Sequence, residues 1–346
     1  MFFVSNPAGI RKADGSFYTA SDPISSIASQ NEVDPTLAPV FGQVASPLLE
    51  QPYTRQTNLG WSHQVDSATA FTADYVRVDG RDINIRFRPN TRLDGGPRRL
   101  ADLAIRPNTL SFRTAVSKGE STYDALIIGL RRRLSHGFDL TASYTLIDAR
   151  SVIGTANDEL DTNNIQDATD PFAPVNVGPS SRTDARHRVS LSAVIQAPWG
   201  IQVAPLFLYR SGLPTLTFEG IDTNNDGNVN DITARAFAYT GLNDDGTATF
   251  KDIGPCESVN CSRRAAFSQL NLRLSKSIRL GGGARIEAIA EVFNLFNAKN
   301  PALPITSQRV SAAGVAQASF MQPVSYAGDI GQPEQRIGQL GFRFSF

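Results

Sequence analysis

The sequence predicts an all-β protein, and more narrowly a transmembrane antiparallel β-barrel with short periplasmic turns and long external loops. Three observations lead to this fold class. Apolar and polar residues alternate with a period of two in nine segments, short and long connections follow one another in strict alternation, and no run of 18 apolar residues occurs. A period of two belongs to strands with two different faces. The third observation excludes a transmembrane helix.

The alternation is clearest in the segment FDLTASYTLI, residues 138–147, where every second residue is apolar or aromatic. Residues 284–297 have the propensity of a helix, but they also alternate and follow the tight turn LGGGA directly after another strand, so we predict a strand there. The nine predicted strands are 55–65, 68–79, 122–134, 137–149, 186–197, 199–212, 266–279, 283–296 and 335–346.

The lengths of the connections favour a barrel over a soluble sandwich, which alternation alone does not separate. Four connections are short, at VDSAT, LSHG, APWG and LGGG, and the long ones span about 80–121, 150–185, 213–265 and 297–334. Soluble sandwiches show no such order. Outer-membrane barrels do, with short turns on the periplasmic side. Phe346 would then end in the periplasm.

Composition narrows the classes of function. Lysine plus arginine and aspartate plus glutamate each number 33, so the formal net charge of zero argues against general nucleic-acid binding. The two cysteines, Cys256 and Cys261, lie in the polar segment GPCESVNCSRR. We expect them to form a disulfide in an oxidising compartment, with two unpaired thiols as the alternative. Two cysteines are too few ligands for a structural metal site.

Several motifs carry a family resemblance. The ending IGQLGFRFSF resembles the closing strand of bacterial outer-membrane proteins, which implies an assembly signal made by Leu340, Phe342, Phe344 and Phe346. The segment IEAIAEVFNLFNAKNP is similar to the penultimate-strand motif of TonB-dependent receptors, with the Asn-Leu-Phe-Asn run at 294–297. Three further segments resemble the Oar-like branch of that family, namely SSRTDARHRVSLSAVIQAPWG, FLYRSGLPTLTF and the D-x-N-x-D-G loop. The resemblance covers about residues 50–346.

The resemblance implies the C-terminal part of a receptor in the bacterial outer membrane. Family members have a 22-strand barrel filled by an N-terminal plug, and they import a ligand with energy transmitted by TonB. We therefore expect residues 1–54 to end a long external loop and residues 55–346 to be a barrel segment, a fragment without plug domain or signal peptide. Alone, it should not perform coupled transport.

The expected partners are outer-membrane lipid, the barrel-assembly machinery, TonB in a full-length form, and an imported ligand whose identity the sequence does not give. We expect no nucleic-acid partner and no enzymatic activity. Two other classes of function stay open at this point. One is a passive plugless pore in the outer membrane, and the other is a soluble secreted β-rich binding protein stabilised by calcium.

A calcium loop is the one metal site that the sequence suggests. In DTNNDGNVND, the candidate ligands are Asp222, Asn224, Asp226 and Asp231, and Gly227 stands where an EF-hand needs glycine. Position 12, however, is Thr233, which cannot bind calcium bidentately. The alternative is a turn cluster without an ion. No other cofactor is expected. The three histidines, His63, His136 and His187, are far apart in sequence and suggest no triad, and Glu287 and Glu291 are predicted to face inward.

Overall fold

Fifteen β-strands make up most of the described part of the protein, as seen in a computed structural model. The structure describes residues 42–45, 49–87, 112–151, 177–223, 231–302, 308–311, 313–323, 326 and 335–346. The strands are β1 (Gly42–Ala45), β2 (Tyr53–Gln64), β3 (Thr69–Phe87), β4 (Phe112–Ser135), β5 (Phe138–Ser151), β6 (Gly178–Pro179), β7 (His187–Ala197), β8 (Ile201–Arg210), β9 (Pro214–Thr215), β10 (Arg235–Leu242), β11 (Ala248–Pro255), β12 (Ser262–Arg263), β13 (Phe267–Gly281), β14 (Ala284–Phe293) and β15 (Ile337–Ser345).

Nine long strands form one antiparallel sheet in the order β2-β3-β4-β5-β7-β8-β13-β14-β15. They correspond one to one with the nine predicted segments, so that prediction is confirmed. Two short strands join the same sheet, β1 parallel to β4 and β6 antiparallel to β5. Among the described residues, β2 and β15 do not pair with each other, so the sheet is open, as expected of a partial barrel.

Register gives the sheet one continuous apolar face, because directly opposed residues of neighbouring strands point to the same side. One row of register partners crosses six strands, through Leu340, Ala290, Leu274, Val203, Ile195 and Phe138. This face is open to the surroundings. Leu340 is 82% exposed and Phe342 is 81% exposed. In a soluble sandwich this face would be the buried core, so its exposure favours contact with lipid.

The short turns owe their shape to a few residues. His136 and Gly137 both have positive φ, 52° and 77°, as the two-residue turn between β5 and its partner β4 requires. In the turn before β3, the carboxylate of Asp66 accepts hydrogen bonds from the backbone N–H groups of Ala68 and Thr69, at 2.7 and 2.8 Å. These bonds, above all the one from Ala68, lower the pKa of Asp66.

Two of the long connections differ from the expectation. The hairpin of β3 and β4 extends beyond the predicted ends, to Phe87 and back from Phe112. Residues 213–265, predicted as a plain connection, contain a separate four-stranded sheet in the order β11-β10-β12-β9. Two of its strands have only two residues and exist through pairing with distant residues, which a local sequence pattern does not report.

This smaller sheet packs against the connection between β14 and β15. Phe237 and Phe250 of the sheet and Phe320 of that connection meet edge to face, with ring centroids 5.4 to 5.9 Å apart. An ion pair between Arg309 and Glu219, at 2.5 Å, joins the same two connections. We call this unit, β9–β12 with residues 308–311 and 313–323, the external subdomain.

The expected boundary at residue 54 falls mostly outside the described residues. Within the described part, β1 pairs with β4 and β2 begins at Tyr53, two residues before the predicted strand start. The division into 1–54 and 55–346 stays a prediction. No helix in the described ranges is both long enough and apolar enough to span a membrane.

Candidate functional site

The polar face of the main sheet is the inner wall of the predicted barrel, and it carries the candidate site. Its position relative to the membrane follows from the opposite face. There the apolar band on β3 ends at Tyr75, whose hydroxyl donates a 2.5 Å hydrogen bond to Asp124. The next residue of β3 on the same face is Arg77, which forms an ion pair with Asp79 at 2.9 Å. Charged pairs of this kind belong outside the hydrocarbon layer.

An arginine pair stands on the inner wall near this external limit. Arg188 of β7 and Arg210 of β8 are direct register partners. Thr145 of β5 continues the row on one side and Phe267 of β13 on the other. Like charges directly opposite one another destabilise a sheet, so an anionic group between them would stabilise this pair.

A third arginine joins the pair from the segment between β12 and β13. Arg264 donates through Nη2 to the backbone carbonyl oxygens of Ser181 at 2.8 Å and Pro214 at 3.3 Å. Its Nε is buried and has no hydrogen-bond acceptor among the described residues. Burial lowers the pKa of Arg264, and the nearby positive charge of Arg210 lowers it further. We call Arg188, Arg210 and Arg264 the arginine cluster.

The arginine cluster has no anionic partner in the described part of the chain, where no carboxylate oxygen lies within 4.0 Å of its side-chain nitrogens. Asp184, close by in sequence, is fully buried and pairs instead with Arg263 at 2.9 Å. Arg188 donates to the carbonyl oxygen of Thr183 at 3.2 Å. The guanidinium of Arg210 stacks 5.9 Å from the ring centroid of Phe267.

The carboxylate in the same register row is distant. Asp74 lies on β3, three strands away from Arg188 through Ile127 and Thr145. Strands are about 4.8 Å apart, so the separation is roughly 14 Å. At that distance, in a wet lumen, physiological salt screens most of the attraction. Within the described ranges, the positive charge of the cluster is therefore not balanced locally.

Two members of the arginine cluster, Arg188 and Arg210, border a cavity of about 550 Å³ in the inner wall. Arg188 and Arg210 line it together with the hydroxyl groups of Ser143, Thr145 and Ser190, and Leu208 and Phe267 provide an apolar side. A volume of this size suits a small organic molecule. The mixture of cations, hydroxyl donors and an apolar wall can bind an oxyanion attached to an apolar or aromatic body.

Sequence reasoning missed this site. It placed Arg188 and Arg210 in predicted strands but did not align the two strands with each other. A signal was available, since both arginines sit at the external ends of neighbouring strands. Only the register shows that they stand directly opposite.

The glutamates predicted to face inward do so, but Glu291 has a structural partner. Arg273 donates to Oε1 of Glu291 at 3.1 Å, and Gln339 donates to its Oε2. Glu287 has Ser277 and Arg343 as register partners on the inner face. These contacts connect β13, β14 and β15 and leave Glu291 engaged in an ion pair.

Two of the four predicted calcium ligands, Asn224 and Asp226, lie outside the described residues, so the structure does not test them. Of the others, Asp231 is buried and its Oδ2 accepts hydrogen bonds of 2.5 Å from the backbone N–H and the hydroxyl of Thr223. Asp222 is described, yet no cluster of three or more His, Cys, Asp or Glu side chains suited to a metal occurs in the described ranges. The site stays a prediction.

The remaining sequence candidates are separate from the cavity. Cys256 and Cys261 form a disulfide in the external subdomain, with their Cα atoms 5.5 Å apart. His63 stacks on Trp61, His136 lies in a turn, and His187 shares a hydrogen bond of 2.8 Å with the hydroxyl of Tyr144. The three histidines do not meet. Phe344 and Phe346 lie at the exposed edge of β15, with ring centroids 5.8 Å apart.

Comparison with known proteins gives a family match. The model of the family described as "Outer membrane beta barrel domain" matches residues 4–327. No curated protein shows significant similarity to the chain.

Solved structures with similar folds include the outer membrane transporter YddB from Escherichia coli, at 11% identity and a TM-score of 0.48, with 87% of this chain and 34% of that chain covered. The pyoverdine outer membrane receptor FpvA from Pseudomonas aeruginosa is 9% identical, with a TM-score of 0.42 and coverage of 86% and 30%. The FrpB iron transporter from Neisseria meningitidis is 13% identical, with a TM-score of 0.42 and coverage of 87% and 32%. The chain spans about a third of the length of these proteins.

Proposed function

This chain belongs to the outer membrane beta barrel domain family, and from that premise we propose that it forms the C-terminal wall of a receptor that takes up a ligand by TonB-dependent transport. The chain is a protein of the bacterial outer membrane. The observation that carries the proposal is the two-faced sheet. Its apolar side is exposed for lipid, and its polar side carries a cavity near the external limit of the apolar band.

The TonB-dependent character of the proposal is supported by the Asn-Leu-Phe-Asn motif, which has a defined structural role. Asn294 is 1% exposed and has a positive φ of 50°. Its side chain donates to the carbonyl oxygen of Ala298 and accepts from the N–H of the same residue, both at 2.9 Å. The N–H of Asn294 donates to Asn271 of β13 at 2.9 Å. The motif thus closes the external end of β14.

The proposed partners follow from the two faces. Outer-membrane lipid would cover the apolar side, and the barrel-assembly machinery would recognise the closing strand through Phe346. TonB would act on the full-length receptor. The ligand would enter from the external side and meet the cavity on the inner wall. Binding and transport, rather than catalysis, are the functions that such an arrangement serves.

The test compares uptake in the native bacterium with an in-frame deletion of the gene, and separately with a deletion of TonB. We expect at least one compound from a panel of labelled solutes to be lost from uptake in both deletion strains, and to return when the gene is restored. A further strain carries Phe346→Ser, which should reduce the protein in the outer membrane and uptake together.

Two outcomes would contradict the proposal. The protein could reach the outer membrane while no solute depends on both the gene and TonB. Alternatively, the purified protein could give steady ion conductance across a planar bilayer, and uptake could persist without TonB. The second outcome would indicate a passive pore.

A further inference from the structure

The arginine cluster is a place in the main sheet where like charges repel one another. Arg188 and Arg210 oppose each other directly, and neither has an ion pair in the described residues. Elsewhere on the inner wall the arrangement differs, since Arg273 pairs with Glu291. A charge arrangement that costs stability without an internal partner is the kind of site where function is found.

Water does not fully screen the repulsion between Arg188 and Arg210. Arg279 of β13 and Arg285 of β14 are also register partners, but both are exposed beside the periplasmic turn at Gly282 and Gly283, where water screens their repulsion. Arg210 is only partly exposed, and Arg264 has a buried Nε without an acceptor. The repulsion within the arginine cluster is therefore less screened by water, and a bound anion would reduce it.

We infer that Arg188 and Arg210 bind the oxyanion group of an organic acid, a carboxylate or a phosphate ester, whose apolar body packs on Leu208 and Phe267. The inference rests on the proposed function and names the chemical class of its ligand. Guanidinium groups bind carboxylates and phosphates through paired N–H donors, and Ser143, Thr145 and Ser190 add hydroxyl donors in the same cavity.

The architecture also sets the order of contributions. Arg188 and Arg210 have exposed or partly exposed side chains that face the cavity, so they would bind the ligand directly. Arg264 does not line the cavity and holds the carbonyl oxygens of Ser181 and Pro214 through Nη2, so its contribution would come only from its positive charge beside Arg210. Phe267, already stacked on Arg210, would give an aromatic ligand its preferred surface.

The experiment measures binding by isothermal titration calorimetry with the full chain of 346 residues folded in detergent micelles. The probes are 1-naphthyl phosphate, 1-naphthoate, inorganic phosphate and the uncharged 1-naphthol. We expect saturable binding of at least one of the two naphthyl acids, weaker binding of inorganic phosphate because it lacks an apolar body, and none of 1-naphthol. Comparison of the two acids distinguishes a phosphate site from a carboxylate site.

The decisive variant is Arg188→Gln with Arg210→Gln, which should weaken binding at least about 100-fold, since it removes two charged donor groups. Its matched control is Arg279→Gln with Arg285→Gln, which removes the same charge from another opposed pair on the same wall and should change the affinity less than about twofold. Heat-modified mobility on a gel and circular dichroism verify folding of each variant.

If the glutamine pair does not fold, Arg188→Lys with Arg210→Lys keeps both charges and removes the paired donors, and we expect about a tenfold loss. The inference is overturned if the wild-type protein binds neither acid saturably, or if the control pair loses as much affinity as the cluster pair. Binding without TonB-dependent uptake would contradict the proposed function and leave this site intact. Uptake without binding would contradict the site alone.

Discussion

A single arginine placed on each face of β7 tests which side of the sheet meets lipid. Leu191 lies on the apolar face, with Ala142 and Phe207 as register partners. The next residue, Ser192, lies on the polar face and is exposed. Leu191→Arg should strongly destabilise the membrane-inserted protein, whereas Ser192→Arg should be tolerated because its guanidinium would reach water.

The expected magnitude follows from depth. The apolar band on β7 runs from Val189 to Ala197, so Leu191 is two residues from its centre. Two residues correspond to about 7 Å along a strand, and to about 5 Å of depth at a tilt of about 40°. An arginine at the bilayer midplane costs about 2–4 kcal/mol, and at this depth we expect about 2 kcal/mol, or roughly a 30-fold change in the folding equilibrium. Ser192→Arg should stay within about 0.5 kcal/mol.

The assay is equilibrium unfolding by guanidinium chloride of the protein inserted in phosphatidylcholine vesicles, followed by tryptophan fluorescence. Trp61 and Trp199 are both on the exposed surface, at 56% and 84% exposure, so their emission should change when the strands leave the membrane. Equal costs for the two substitutions would refute the assignment of faces. A larger cost for Ser192→Arg would reverse it.

Three further predictions concern other parts of the chain. Phe346→Ser should lower the amount of folded protein in outer-membrane fractions several-fold, as measured by heat-modified mobility, because the exposed terminal aromatic is the proposed assembly signal. Replacing Cys256 and Cys261 together by serine should destabilise the external subdomain by about 2 kcal/mol in chemical denaturation, the entropic value for so short a loop. The hydrogen bond from Arg235 lowers the pKa of Asp252, so this ion pair stabilises the hairpin of β10 and β11 above the usual aspartate pKa, and its contribution is lost as the pH falls through the lowered pKa.

Each of these predictions has a control. Arg343→Ser, on the polar face of β15, should leave assembly unchanged, and equal loss in both variants would argue against the aromatic signal. The cysteine variant should match the wild-type protein once a reductant is present, and a difference that persists would show a cause other than the disulfide. Asp252→Asn should remove the acid sensitivity of the urea midpoint below pH 3.8, and an unchanged sensitivity would exclude this ion pair as its source.

The family of the chain could be predicted from the sequence because the patterns that indicate it are local. Period-two alternation appears inside each strand, and turn residues such as those at 282 and 283 mark where one strand ends and the next begins. Each signal depends on a few neighbouring residues, so all nine long strands of the main sheet could be predicted. The family match over residues 4–327 agrees with that prediction.

The extent of the strands and the external subdomain were beyond such signals. The hairpin of β3 and β4 continues past the apolar band, where charged pairs such as Arg77 with Asp79 replace the apolar alternation. The two-residue strands β9 and β12 form only because distant backbone groups pair with them. No local pattern encodes such pairing.

The sequence by itself determined which residues alternate, and therefore which ones share a face within a strand. Only the tertiary structure decided which strands are neighbours and at what register, and the candidate site depends on both. Arg188, Arg210 and Arg264 come from three separate segments. Antiparallel pairing of β7 with β8 places Arg188 opposite Arg210, and the segment between β12 and β13 brings Arg264 near Arg210. Register arises from hydrogen bonds between segments distant in sequence, so the electrostatic conflict exists only once the sheet has formed.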